Sequence, residues 1–103
     1  MIPVVIRRRA EADLERASAW YARDNQPLRA EFIEEFDRTV QRITALPDQF
    51  PEVGQHVRRA LLHRFPYATY FVRRADRAIV IAVLHQHRKP DAWKARARVE
   101  GAG

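Results

Sequence analysis

Residues 78–93 read A-I-V-I-A-V-L-H-Q-H-R-K-P-D-A-W, and this stretch decides the fold. Its first half, Ala78 to Leu84, is an unbroken apolar run rich in β-branched residues. Such a run predicts a strand buried on both faces in mid-sheet, not a solvent-washed edge. Its second half turns basic and aromatic, with His85, His87, Arg88, Lys89 and then Trp93. A buried strand is a rigid support, so groups at its end are held in fixed places.

Upstream, Val57 to Phe65 alternates. Arg59, Leu61, His63 and Phe65 point one way, while Arg58, Ala60, Leu62 and Arg64 point the other. Tyr67 to Arg73 follows Pro66, which must stand at a strand margin because it has no N–H to give. Arg74-Ala75-Asp76-Arg77 is a tight turn into the apolar run. Connections this short imply an antiparallel meander. Ile2 to Ile6 is one more short strand, ended by Arg7 to Arg9.

Between the first strand and the meander the period becomes helical. Ala10, Leu14, Ala17 and Tyr21 share one face of a helix over about Ala10 to Arg23, with Glu11, Asp13, Glu15 and Arg16 filling much of the rest. Asp24-Asn25-Gln26-Pro27 breaks it. A second helix runs from Pro27 to Leu46 on a stripe of Leu28, Phe32, Phe36, Val40 and Ile43, and Pro47 stops it. Pro47 to His56 reads as an irregular loop. Asp91 to Val99 reads as a short helix with Asp91 at its N-cap, followed by a fraying end from Glu100. The expected architecture is α+β, in the order β-α-α-β-β-β. A helix hairpin packs on one face of a four-stranded, mostly antiparallel sheet, a short C-terminal helix follows, and the other face is partly open. At 103 residues, one domain spanning 1–103 is expected.

The formal net charge is +6, carried by seventeen arginines and two lysines against thirteen acids. A polyanion or an acidic protein is the natural counterpart of such a chain. There is no cysteine, which excludes disulfides, thiolate metal sites and a cysteine nucleophile. No apolar run approaches the ~20 residues of a membrane span. The N-terminal M-I-P-V-V-I-R-R-R places its charges after the apolar residues, the reverse of a secretory signal. A cytoplasmic protein without membrane association is expected. Only three glycines are present and two are terminal, so no phosphate-cradling loop exists.

Four pieces together resemble the RelE/ParE superfamily of toxins from type II toxin–antitoxin modules, the plasmid-stabilisation type. They are A-x-x-D-L-x-x-A-x-x-W-Y at Ala10 to Tyr21, P-x-x-F-P at Pro47 to Pro51, R-R-A-L-L-H-R-F-P-Y-A-T-Y-F-V at Arg58 to Val72, and A-V-L-H-Q-H-R-K-P-D-A-W at Ala82 to Trp93. The resemblance implies a growth-inhibiting toxin neutralised by a cognate antitoxin, expected to be acidic and partly disordered. ParE-like members inhibit DNA gyrase; RelE-like members cleave mRNA on the ribosome without metal. The L-H-x-x-R ending at Leu84 to Arg88 is more similar to the ParE branch. The terminal aromatic or His-Tyr group usual in the ribonucleases is missing from Arg98-Val-Glu-Gly-Ala-Gly. An inactive antitoxin-binding homologue is the third alternative.

Metal-independent RNA cleavage needs a base, an acid and cations around the phosphorane. His85, Arg88, Arg59 and His63 are the candidates if the activity is a nuclease, provided that the strands of Arg59 and His85 are neighbours. Otherwise His85 caps its strand and Arg88 pairs with a carboxylate or a helix end. Arg58, Arg64, Tyr67, Tyr70, Arg73, His87 and Trp93 are candidates for binding target or antitoxin. Arg58, Arg59, Arg64, Arg73, Arg74 and Arg77 are expected to form a docking surface, because Asp76 is the one acid between Val57 and Arg88. Trp93, Trp20 and Tyr21 read most simply as core aromatics. His85 and His87 with His63 supply too few ligands for a structural metal, so no metal and no cofactor are expected.

Overall fold

The computed structural model describes residues 1–101. In chain order it holds β1 (Val4–Ile6), α1 (Arg8–Asp24), α2 (Gln26–Ala45), a 3₁₀ turn at Pro47–Gln49, β2 (Glu52–Gly54), β3 (Val57–Leu61), β4 (Tyr67–Arg73), β5 (Ala78–His85) and α3 (Asp91–Val99). The end expected to fray falls partly on residues 102–103, outside that range. No helix among the described residues is long and apolar enough to cross a membrane.

The architecture is α+β, with a two-helix hairpin on a mostly antiparallel sheet. The sheet has five strands rather than the four expected, in the order β1-β5-β4-β3-β2. The addition is β2, three residues in the stretch read as a loop, which pairs through Glu52↔Arg58 and Gly54↔Val57. A strand that short shows no alternation to read. The strand β5 lies between β1, its parallel partner, and β4, its antiparallel one. β3 ends at Leu61, not Phe65, because the chain turns over Leu62 to Pro66 with Arg64 in the left-handed region at φ 70°.

The hairpin forms because one residue, Asn25, breaks the helical run. Its N–H still donates to the Tyr21 carbonyl at 3.2 Å, and its carbonyl already accepts from Leu28 at 2.9 Å. Pro27 falls in the first turn of α2, where its missing N–H costs nothing. Phe32, Phe36 and Ile43 on α2 are almost wholly buried, at roughly 1.5–3 kcal/mol each. With a domain's net stability only ~5–15 kcal/mol, that stripe alone decides whether the hairpin docks.

A bulge sets which side chains of β5 face the hairpin. Val80 pairs with Phe71 and Ala82 with Tyr70, leaving Ile81 as the extra residue. Ala78, Val80 and Val83 therefore pack towards the hairpin, while Ile79, Ile81, Ala82 and Leu84 pack on the opposite face. Two consecutive residues, Ile81 and Ala82, share one side, as a bulge requires.

That opposite face, expected to be partly open, is covered by α3 through Trp93 and Ala97. Trp93 stacks on Tyr70 with centroids 5.6 Å apart and planes 16° apart. Its far edge would lie 3.5 Å from a Cβ on Gly54, whose φ of 135° favours glycine in any case. Asp91 is the first residue of α3, and Pro90, not Asp91, holds the cap position.

A buried ion pair ties the two layers together. β1 ends at Ile6, so the later half of β5 has no strand beside it on that edge. Buried backbone groups there still need partners. The Arg7 N–H donates to the Val80 carbonyl at 3.0 Å. Beyond it, Arg96 Nη1 donates to the Ile81 carbonyl at 2.9 Å, and the Val83 N–H donates to Asp13 Oδ2 at 3.0 Å. Arg96 also grips Asp13 with both Nη atoms, at 2.5 and 3.1 Å. Asp13 is 3% exposed and Arg96 8%. One carboxylate and one guanidinium thus stand in for the missing strand and join α1, β5 and α3.

Two stability predictions follow from these contacts. Asp13→Ala leaves Arg96 buried and unpaired and costs about 3–5 kcal/mol in denaturant unfolding, whereas Asp13→Leu combined with Arg96→Met costs less. The turn between β2 and β3 places both Gln55 and His56 at positive φ, 52° and 61°. Asn-Gly is the pair suited to such a two-residue turn. Gln55→Asn with His56→Gly gains about 1 kcal/mol, read as a rise of roughly 4–8 °C in thermal midpoint.

Candidate functional site

A cavity of about 200 Å³ opens where β5 runs on beyond the Asp13 contact. One wall comes from α1, where Asp13, Arg16, Ala17 and Trp20 fall at i, i+3, i+4 and i+7 and so share a face. The floor is Val83, Leu84 and His85, with Tyr67 from the start of β4 and Arg88 from the turn after β5.

The floor is held rigidly. Tyr67 and His85 are register partners, and their rings meet edge to face at 5.4 Å. Tyr67 in turn packs on Phe32 at 5.3 Å and Tyr21 at 6.1 Å, and Phe65 completes the cluster against Tyr21 at 5.0 Å. His85 Nδ1 accepts from the His87 N–H at 3.2 Å. The Arg88 N–H closes the turn on the His85 carbonyl at 2.9 Å, and the Gln86 N–H ties it to the Pro66 carbonyl at 2.9 Å.

The charge of the cavity is positive. Arg96 already neutralises Asp13, yet Arg16 also reaches Asp13 Oδ1, at 2.6 Å, while its side chain stays largely exposed. Arg88 has no side-chain partner among the described residues. Burial raises the Tyr67 phenol above its ordinary value, and burial with the neighbouring Tyr67 does the same to Tyr21. At neutral pH Tyr67 therefore presents an O–H donor, not a phenolate.

The four nuclease candidates do not come together. His85 and Arg88 share this cavity. Arg59 lies on β3, two strands from β5, opposite Tyr70. It faces the α3 side with Val57 and Tyr70, while His85 faces the hairpin side with Tyr67. His63 sits in the turn after β3, where its N–H donates to Glu35 Oε2 at 3.3 Å, and it lines a separate cavity with Arg38 and Arg42.

The binding candidates divide as well. Tyr67 and His87 belong to the β5 end. Tyr70 and Trp93, also candidates for binding, are 3% and 4% exposed and stacked on each other, so Trp93 is the core aromatic it most simply reads as. The arginine surface is largely engaged by acids distant in sequence. Arg58 reaches Glu52 at 3.8 Å and the Phe50 carbonyl at 2.6 Å, and Arg73 reaches Asp48 at 3.1 Å. Arg64 reaches Glu31 at 3.7 Å, Arg77 reaches Asp76 at 3.3 Å, and Arg74 donates to the Glu100 carbonyl. Counting acids only within Val57 to Arg88 found Asp76 but missed Glu31, Asp48 and Glu52. Trp20, expected in the core, is 58% exposed, held by a cation–π contact from Arg23 at 5.3 Å. Sequence reasoning also missed Arg16 and the Asp13–Arg96 pair. The available signal was Asp13 standing three residues after Ala10 and four before Ala17, on the buried stripe of α1.

Residues 4–90 match the family described as ParE toxin of type II toxin–antitoxin system, parDE, and the chain belongs to that family. It is a ParE-like toxin whose partner is an antitoxin. The matched span stops just before α3. No curated protein matches the chain. Among solved structures, it is similar to one titled "Chromosomal ParDE TA system from P. aeruginosa", at 19% identity, with a TM-score of 0.73 over 82% of this chain and 96% of that one. At that identity the likeness is one of fold.

The raised phenols carry a pH prediction. The unfolded chain releases the Tyr21 and Tyr67 protons first, at the ordinary value near 10. The stability these two phenols contribute is therefore fully present below that value and is lost above it. Ultraviolet titration should show Tyr21 and Tyr67 ionising late, and Tyr67→Phe should lessen the alkaline loss.

Proposed function

We propose that this toxin acts in the cytoplasm by binding, as an inhibitor of DNA gyrase, and that its antitoxin neutralises it with an acidic, partly disordered segment. The observation that supports this reading is the separation of the nuclease candidates. Arg59 and His85 face opposite sides of the sheet and His63 lines another cavity, so the cations and imidazoles that would share one phosphorane are dispersed. What remains at the end of β5 is a rigid, positively charged, aromatic surface, suited to recognition. Family membership points the same way, since the family is ParE and not RelE.

The test is a supercoiling reaction with purified gyrase, ATP and relaxed plasmid. The toxin is expected to block supercoiling and to accumulate cleaved DNA, with Arg88→Ala weakening the effect at least tenfold. In induced cells, ribosome-bound mRNA stays intact while DNA breaks and filaments appear. Unaffected supercoiling together with mRNA cuts within minutes would instead establish the ribonuclease.

A further inference from the structure

We propose that the cavity between α1 and the end of β5 takes one nucleotide unit of a single-stranded nucleic acid, its base stacked on Trp20 and its phosphate held between Arg16 and Arg88. Three observations meet here. Trp20 is 58% exposed, with Arg23 over its ring at 5.3 Å as its one aromatic or cation–π contact among the described residues. Apolar burial normally draws an indole inward, so one held in the open beside cations is placed to stack on something. Arg16 on α1 and Arg88 in the turn after β5 both line the cavity: Arg16 bonds Asp13 Oδ1 at 2.6 Å but keeps most of its side chain exposed, and Arg88 has no side-chain partner among the described residues. Asp13, the one acid in the lining, is already neutralised by Arg96.

Size and shape choose the ligand. At about 200 Å³ the cavity is smaller than the ~300–1,000 Å³ of sites that enclose a whole small molecule. It suits one unit of a longer strand whose remainder stays in solvent. Flat aromatic walls with guanidinium groups match a base and its phosphate. An acidic peptide helix would want an elongated apolar groove. Here the aliphatic lining is only Ala17, Val83 and Leu84. Tyr67 adds a protonated hydroxyl on the floor. This site deepens the binding function proposed above and rests on that reading for its biological setting only.

The test needs no gyrase, so it can fail while the gyrase reading survives, and the reverse. Purified toxin is titrated with (dA)8, (rA)8 and octaglutamate while tryptophan fluorescence is followed. Trp93 is buried, so quenching by a bound strand reports chiefly on Trp20. The expected result is saturable quenching by an oligonucleotide, with log affinity falling by about 0.7 per log unit of salt for the one phosphate held. Trp20→Ala, followed by anisotropy of a labelled strand, and Arg88→Gln should each weaken binding about tenfold or more, with circular dichroism unchanged. A preference for (dA)8 or for (rA)8 supports the pocket and identifies the source of the strand. No quenching, undiminished binding in Trp20→Ala, or equal quenching by octaglutamate would overturn the assignment.

Discussion

The unpaired edge of β5 is the constraint on which the rest of the molecule depends. A three-residue β1 covers only Ala78 to Val80. Left alone, the following backbone groups would be an open template for another strand, the liability that sheet proteins must manage. This chain closes the edge with two side chains instead. Asp13 takes the Val83 N–H, Arg96 takes the Ile81 carbonyl, and the two take each other. The bulge at Ile81 is part of the same arrangement, because it resets which residues turn their backbone groups outward.

The functional surface follows from that closure. Asp13 fixes the rotation of α1 about its axis, and one and two turns further along the same face are Arg16, Ala17 and Trp20. The same closure fixes β5, whose far end carries His85 and, through a hydrogen-bonded turn, Arg88. Arg96 holds down α3, and α3 buries Trp93 against Tyr70. Arg96 and Trp93 lie beyond the residues that match the family. The closure of this edge therefore joins the family-matched body of the chain to a segment outside that match.

Much of the fold was legible. The apolar run at Ala78 to Leu84, the Phe32, Phe36 and Ile43 stripe and the proline stops each carry a period or a breaker, and their elements lie within about two residues of expectation. What lacked a local signal was missed. β2 is too short to alternate. Ile81 as a bulge depends on pairing with β4, which no window along β5 contains. Asp13 reads only as one of the charged residues filling the rest of α1, because its partner is eighty-three residues away. The candidate site was half legible. His85, Arg88 and Tyr67 were found because they flank the buried strand and its hairpin neighbour. Trp20 and Arg16 were missed because exposure is decided by what packs over a helix face. Arg59 and His63 were grouped with His85 on an assumed strand adjacency that β4 prevents.

Native-state amide hydrogen exchange at Val83 tests the closure of this edge most directly. In the intact protein the Val83 N–H should exchange as slowly as the paired amides of β4 and β5. In an Asp13→Asn variant its protection should fall by orders of magnitude, together with that of α3, while the β4–β5 ladder keeps its own. Undiminished protection of Val83 and α3 in that variant would contradict the account.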